Sequence, residues 1–110
     1  MGAGKRAVRL VLAASLLAGV ASAAGTIGCG GTLYAVSANS AQSRLEQARA
    51  LGAEKYAPYE YWYAHEHLQK AMEEAAAADY GDAIDFADAA EVYAEKAIVL
   101  SKQAHEGAGR

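Results

Sequence analysis

The sequence predicts an all-α fold, a three-helix up-down-up bundle built on an alanine-rich antiparallel helical hairpin. Three observations support this prediction. Apolar residues recur at alternating spacings of four and three over most of the chain after residue 33, which is the period of an α-helix. Alanine is abundant, β-branched residues are few after Val36, and there is a single proline, so helix is favoured over strand. Asp79 and Gly81 mark a tight reversal between two of the periodic stretches.

Local signals set the ends of the three predicted helices. Gly52 is well placed to end the first helix, because glycine readily adopts the left-handed conformation that follows a helix C-terminus. Pro58 fits the first position of the second helix, where its missing N–H is not needed. Asp79 is suited to cap the third. The helices are expected at about 33–51, 58–78 and 80–104, within a helical domain of 33–106 followed by a frayed tail, 107–110.

The apolar seam of the predicted hairpin consists mainly of alanine. It also includes Tyr61 and Leu68 on the second helix, and on the third helix it runs from Ala83 to Ala104. Small residues on both facing seams predict close antiparallel packing of the second and third helices. An alanine seam buries little area, at about 25 cal/mol per Å², so the hairpin alone should be marginally stable. The core therefore needs the first helix, the large aromatic residues or another copy of the chain. A homo-oligomer or a longer coiled hairpin is the alternative architecture.

The first thirty residues have the layout of a secretory signal. Three basic residues within the first nine precede an uncharged apolar run, Leu10–Ala24, and small residues follow it. The run is shorter than the about 20 apolar residues of a membrane-spanning helix, so an uncleaved anchor is the less favoured interpretation. Cleavage after Ala23, in a small-x-small pattern, would release a soluble periplasmic protein.

A second cleavage site competes with this one and is favoured. The run Thr26–Cys29 resembles the lipobox of bacterial lipoproteins, in which the chain is cut between the positions of Gly28 and Cys29 and the cysteine is lipidated. The chain has a single cysteine, and a free thiol is a liability in an oxidising compartment, so this residue is better explained as an acyl acceptor. The prediction is a signal peptide of residues 1–28 and a flexible tether of residues 29–32.

The predicted location is the periplasmic face of the bacterial outer membrane, where a lipid anchor holds the domain. Gly30 follows the cysteine, and in the lipoproteins that this pattern resembles, a residue other than Asp there usually goes with sorting to the outer membrane. Each buried CH₂ contributes about 0.8 kcal/mol, so several acyl chains give essentially permanent attachment to the membrane. The alternative location is the soluble periplasm, after cleavage following Ala23.

The charge of the mature chain excludes one class of partner. From Cys29 onward there are 7 basic and 13 acidic residues, a net charge of −6. This is the wrong sign for contacts with a phosphate backbone, so no nucleic-acid partner is expected. The acidic balance favours basic partners or divalent cations. Glycine loops that cradle phosphates are absent, and we expect no cofactor.

A longer stretch of the chain resembles a known family. The run Ala48–Pro58 with its Tyr-Ala-Pro junction, the alanine-rich helix after it and the turn Asp79-Tyr80 are similar to an uncharacterised domain family of short helical bacterial envelope lipoproteins. Members are often found ahead of an OmpA-like peptidoglycan-binding domain, and the resemblance covers about Ser37–Gln103. It implies a helical module without catalytic residues. This chain has no such second domain before its end at Arg110, so we do not expect direct binding to peptidoglycan.

Two groups of side chains are candidates for binding a partner. Four aromatic residues fall within five positions and cannot all point into one core, so Tyr59, Trp62 and Tyr63 are candidates for a platform that contacts a protein, a glycan or lipid headgroups. An acidic stripe along the third helix is a candidate strip for docking a basic partner. Packing of the aromatic residues and simple solvation of the stripe are the competing explanations. The stripe begins at Asp82, and its candidate binding residues are Asp85, Asp88, Glu91 and Glu95.

No set of residues points to catalysis or to a metal. His65 and His67 lie two apart, so on a helix they point about 200° away from each other and cannot share one ion. The only cysteine belongs to the export signal, which leaves no pair of nucleophile and base. We expect a structural or protein-interaction module of the envelope that is not an enzyme, with an envelope protein or a second copy as partner. The alternative is a soluble periplasmic adaptor or chaperone-like binding protein.

Overall fold

The computed structural model describes residues 29–109, and within this range the chain is all-α, as predicted. The signal peptide predicted for residues 1–28, including Gly28 and the cleavage site after Ala23, lies outside the described residues. Three long helices correspond to the three predicted ones, and a single extra turn of helix lies between the first two. The helices are α1 (Cys29–Ala50), α2 (Ala53–Tyr56), α3 (Pro58–Ala76) and α4 (Tyr80–Ala108).

The central helix of the bundle is α4, which packs along α1 on one side and along α3 on the other. Contacts advance together along α1 and α4, so these two helices run parallel, whereas α3 runs antiparallel to α4. This is the predicted up-down-up arrangement. Because α1 and α3 contact each other much less, a groove stays open between them. The defining contacts are Ser40–Glu91, Arg44–Glu95 and Leu51–His105 for the parallel pair, and Tyr63–Tyr93 and His67–Phe86 for the antiparallel pair.

Alanine makes up most of the core. Eleven of the fifteen buried apolar residues in the described range are alanine, and the other four are two leucines, a tyrosine and an isoleucine. Because an alanine side chain ends at Cβ, α1 and α3 can approach α4 closely along its length. The buried face of α4 also includes Ser101, which the predicted seam did not contain, while the predicted Ala104 is only half-buried. The buried alanines of α4 are Ala83, Ala87, Ala90, Ala94 and Ala97.

At both ends of the described chain, the helix extends further than the sequence predicted. The prediction of a flexible tether at 29–32 is wrong, since these residues form the first turn of α1. Gly30 packs against Tyr80, and a Cβ added to this glycine would lie 3.0 Å from the Tyr80 Cβ, so the glycine serves close packing. The tail expected from residue 107 is helical as far as Ala108, since a glycine costs a helix only about 1 kcal/mol.

The predicted helix signals are found in place. Gly52 follows α1 with a φ of 77°, in the left-handed region. Pro58 is the first residue of α3. The Asp79 carboxylate accepts a hydrogen bond from the N–H of Asp82, at 3.4 Å, and so caps α4. These three short-range signals therefore operate in the fold as the sequence indicates.

The turn between α3 and α4 places its backbone strain on an alanine. The N–H groups of Ala78 and Asp79 donate to the carbonyls of Ala75 and Glu74, at 3.0 and 2.9 Å, a pattern that needs a left-handed residue after the helix. Ala78 is that residue, with a φ of 62°. Glycine usually takes this position because a Cβ is unfavourable there. Gly81, which the sequence suggests for the reversal, lies instead in the first turn of α4.

Replacing Ala94 with leucine should destabilise the bundle. Ala94 is fully buried on α4, so the added carbon atoms force a neighbouring helix away. We expect a loss of about 1–3 kcal/mol in the free energy of unfolding, measured by urea denaturation with far-UV circular dichroism. The matched control, Ala35→Leu on the exposed side of α1, should change this free energy by less than about 0.5 kcal/mol. Equal losses in the two variants would contradict close packing at the alanine seam.

Ala78→Gly should stabilise the protein, although it removes a methyl group. The left-handed conformation costs alanine about 1–2 kcal/mol, and the greater freedom of glycine in the unfolded chain offsets part of the gain. We expect the free energy of unfolding to rise by about 0.5 kcal/mol and the melting temperature by about 2–4 °C. Ala35→Gly is the control inside α1 and should lower the melting temperature, because glycine weakens a helix. A lower melting temperature for Ala78→Gly contradicts the turn described here.

Candidate interaction surfaces

Cys29 lies at one end of the bundle, as the first residue of α1. It is exposed and is the free cysteine of the described range. The first turn that follows it packs on Tyr80 at the start of α4, and the ring centroid of Tyr34 lies 6.4 Å from that of Tyr80. A group attached to Cys29 is therefore attached directly to the packed end of the bundle. Between residues 29 and 109, none of the helices is both long and apolar enough to cross a bilayer.

Tyr63 belongs to an aromatic stack between α3 and α4. Its ring centroid lies 3.8 Å from that of Tyr93 and 3.9 Å from that of His67, and its plane is nearly parallel to both. His67 Nδ1 donates a hydrogen bond to the Tyr63 carbonyl at 2.9 Å, and Lys96 Nζ lies 4.3 Å from the Tyr93 centroid. The stack supplies contact area that the alanine seam lacks. Tyr63 is consequently half-buried, which leaves it little free ring surface for a partner.

Tyr59 and Trp62 are the exposed members of the predicted aromatic group, with 65% and 47% of their surface accessible. With Pro58 and Glu66 they line a shallow depression on the outer side of α3. The Tyr59 ring meets the Tyr93 ring edge-on, with 6.3 Å between the centroids, so the depression continues into the stack. We call Tyr59 and Trp62 the aromatic platform.

Tyr61, the fourth aromatic residue of the group, lies in the core between α1 and α3 and is 4% exposed. Burial raises the pKa of its hydroxyl above the ordinary 10.0, and the neighbouring Glu54 carboxylate raises it further, while Arg49 opposes the shift. The hydroxyl therefore stays neutral over the physiological pH range. Tyr61 is a core residue, as the helical spacing predicted.

The predicted acidic stripe of α4 divides into two parts with different roles. Glu91 accepts a hydrogen bond from the Ser40 hydroxyl. Glu95 forms an ion pair with Arg44, with 3.4 Å between Nε and Oε1. These two carboxylates therefore help to hold α1 against α4. The two that are exposed and form no ion pair within residues 29–109 are Asp85 and Asp88.

Three carboxylates meet at the turn between α3 and α4, a juxtaposition that sequence reasoning missed. Oxygen atoms of Glu74, Asp79 and Asp82 lie within 4.8 Å of one another. Glu74 is paired with Lys70 at 2.7 Å, and this hydrogen bond raises the pKa of the Lys70 ammonium group. Asp79 is the cap of α4. The group thus takes part in ending one helix and beginning the next, and only the turn geometry could have revealed it.

The open groove between α1 and α3 has a volume of about 250 Å³. The largest side chains of the core lie along it, including Leu45 and Leu68, and Met72 at its edge is 49% exposed. His65 lines the groove, and its Nδ1 is buried without a hydrogen-bond partner in the described part of the chain. His67 stacks towards α4 instead, so the two histidines occupy different sides of α3, as their spacing predicted.

Comparison with known proteins places the chain in a family. The family described as Domain of unknown function (DUF4398) matches residues 37–108, which is more than half of the chain. The matched range runs from within α1 to the last residue of α4, so it includes both sides of the alanine seam. No curated protein matches the chain, and no solved structure matches it. The match confirms the expected uncharacterised helical domain: the chain belongs to the DUF4398 family.

Proposed function

We propose that this protein is a small lipoprotein of the bacterial outer membrane that faces the periplasm, carries its lipid on Cys29 and binds another envelope protein without catalysis. The observation that supports the proposal most is the position of Cys29. This exposed residue begins α1, so acylation of its thiol leaves the alanine core untouched. The lipobox-like run before it and the DUF4398 match after it agree with a leader followed by a helical domain.

In this proposal no flexible segment separates the lipid anchor from the helical bundle. α1 follows Cys29 without a linker, and its first turn packs on Tyr80 of α4. Each CH₂ of an acyl chain buried in the membrane contributes about 0.8 kcal/mol, so two or more chains hold the protein there permanently. The end of the bundle that contains the α3–α4 turn then lies next to the membrane surface.

The aromatic platform lies further along the bundle. Tyr59 contacts Tyr93, and the neighbouring Glu91 is level with Ser40 of α1. Ser40 is 11 residues beyond Cys29, which at 1.5 Å per residue is about 17 Å along the helix axis. The polar headgroups occupy only about 5–8 Å on each side of the hydrocarbon core. The platform of an upright bundle therefore faces the periplasm, which favours a protein partner over lipid headgroups.

The surface of this domain is better explained by the binding of a partner than by catalysis. The polar groups brought together in the described range take part in folding: Glu74 and Asp79 in the turn, and Arg44 and Glu95 between helices. By contrast, Tyr59 and Trp62 are large, exposed and adjacent, which is typical of residues that anchor a protein contact.

Cys29→Ala should abolish the mass that acyl groups add to the native protein. We expect intact-mass analysis of the full-length gene product, isolated from the membranes of a two-membrane bacterium, to give a chain that begins at Cys29 with acyl groups added. The Cys29→Ala protein has no acyl acceptor and should carry no added mass. Thr32→Ala, close in sequence but without a thiol, is the control and should keep the acyl mass. An unmodified wild-type chain beginning at Ala24 would rule out the lipoprotein and favour a periplasmic adaptor.

A further inference from the structure

The outward side of α4 carries an apolar strip that the described fold covers only in part. Val92 and Val99 lie seven residues apart, on the side of the helix opposite the buried alanines, and they are 49% and 52% exposed. Leu100, next to them, is 38% exposed. Together with Lys96 and Gln103 these residues line a shallow open groove. We call Val92, Val99 and Leu100 the α4 strip, which spans about two helical turns and so matches one face of a single helix.

Valine is an unfavourable choice for an exposed helical position. Alanine, glutamate and lysine are the better helix formers, and each valine costs up to about 0.7 kcal/mol relative to alanine. Val92 and Val99 gain little contact area inside the monomer to offset this cost, since about half of each side chain faces solvent. Contact with a partner would offset it.

The charges beside the strip are arranged unevenly. Asp85 and Asp88 precede the strip, and both are exposed and free of ion pairs within residues 29–109. Glu95 lies next to the strip but is already paired with Arg44, and Lys96 lies over the Tyr93 ring. Glu60 of α3 also lines the groove, but it is half-buried, whereas both aspartates are exposed. The N-terminal end of the strip therefore presents two available negative charges. Since opposite charges across an interface fix both partner and orientation, this end should attract a basic segment.

We propose that the α4 strip binds an amphipathic helix of another envelope protein, whose apolar residues recur every seven positions and face Val92 and Val99. Basic residues at one end of that helix face Asp85 and Asp88. The inference rests on the proposed function in that it names the chemistry of the partner. A second copy of this chain fits poorly: to place its Lys102 on these aspartates it must lie antiparallel. That arrangement sets the two Cys29 anchors at opposite ends of the dimer.

The test uses a synthetic helical peptide with leucine on one face and lysine on its flanks. The full-length gene product is purified from membranes in mild detergent, and binding of the labelled peptide is followed by fluorescence anisotropy. We expect the peptide to bind, and a version with glutamate in place of lysine to bind at least about tenfold more weakly, because like charges then face each other. Partition of the peptide into detergent is the same for every protein variant and cancels in the comparison.

Matched variants locate the site. Asp85→Lys combined with Asp88→Lys should weaken binding of the lysine peptide at least about tenfold. Glu46→Lys combined with Glu73→Lys changes the net charge equally but lies on α1 and α3, outside the strip and the aromatic platform, and it should change the affinity by less than about twofold.

A second pair of variants tests the apolar contact. Val92→Glu should weaken binding, whereas Val36→Glu on the exposed side of α1 should not. Circular dichroism verifies that each variant is folded.

Three results overturn the proposal. Equal losses in the two charge variants mean that the peptide responds only to net charge. Unchanged binding by Val92→Glu means that the strip is not the contact. Self-association that disappears with Asp85→Lys and Asp88→Lys makes a second copy the occupant. These results are independent of acylation, since a chain that starts at Ala24 could still bind the peptide and a lipidated chain could fail to bind it.

Discussion

The close approach of α1 and α3 to the alanine face of α4 is the constraint on which the rest of the structure depends. Five alanines of α4 are buried there, and the helices facing them also contribute mainly alanine. Short side chains let the helix axes come together, but each contributes only about the 0.8 kcal/mol of one buried carbon. A bundle of this kind needs stabilising contacts at the margins of the seam.

The structure has such contacts along both edges of α4. On the α3 side, the rings of Tyr63, Tyr93 and His67 stack, with centroids less than 4 Å apart in successive pairs. On the α1 side, His105 Nε2 donates a hydrogen bond to the Leu51 carbonyl at 2.8 Å. Large side chains are thus displaced from the centre to the edges, and some of them reach the surface. The aromatic platform, to which we assign partner binding, is the exposed continuation of the edge on the α3 side, whereas the α4 strip lies on the outward side of α4.

The sequence was sufficient for most features that depend on neighbours along the helix, although it assigned the reversal to Gly81 and not to Ala78. Pro58 and Asp79 act within one turn, and the spacing of four and three identifies most of the buried alanines. The sequence was not sufficient where a local structure depends on contact with a residue far away in the chain. Gly30 belongs to a helix because it packs on Tyr80, fifty residues later.

The acidic stripe of α4 shows that the candidate binding residues, too, could be identified only in part from the sequence. The four carboxylates look equivalent in the sequence, and only the position of α1 separates those that bind Ser40 and Arg44 from those left available to a partner. In the same way, spacing along α3 identified Tyr61 as core. The division between the stacked Tyr63 and the exposed Trp62 depends on Tyr93 of another helix.

The orientation that we propose for the bundle on the membrane is the central claim, and Trp62 reports on it directly because it is the only tryptophan of the chain. The measurement is quenching of Trp62 fluorescence in the acylated protein reconstituted into vesicles, by brominated lipid acyl chains on the one hand and by aqueous acrylamide on the other. An upright bundle predicts strong quenching by acrylamide and none by the brominated lipid, since the platform then lies beyond the headgroups. Strong quenching by the brominated lipid would mean that the platform inserts into the membrane, and it would contradict the account.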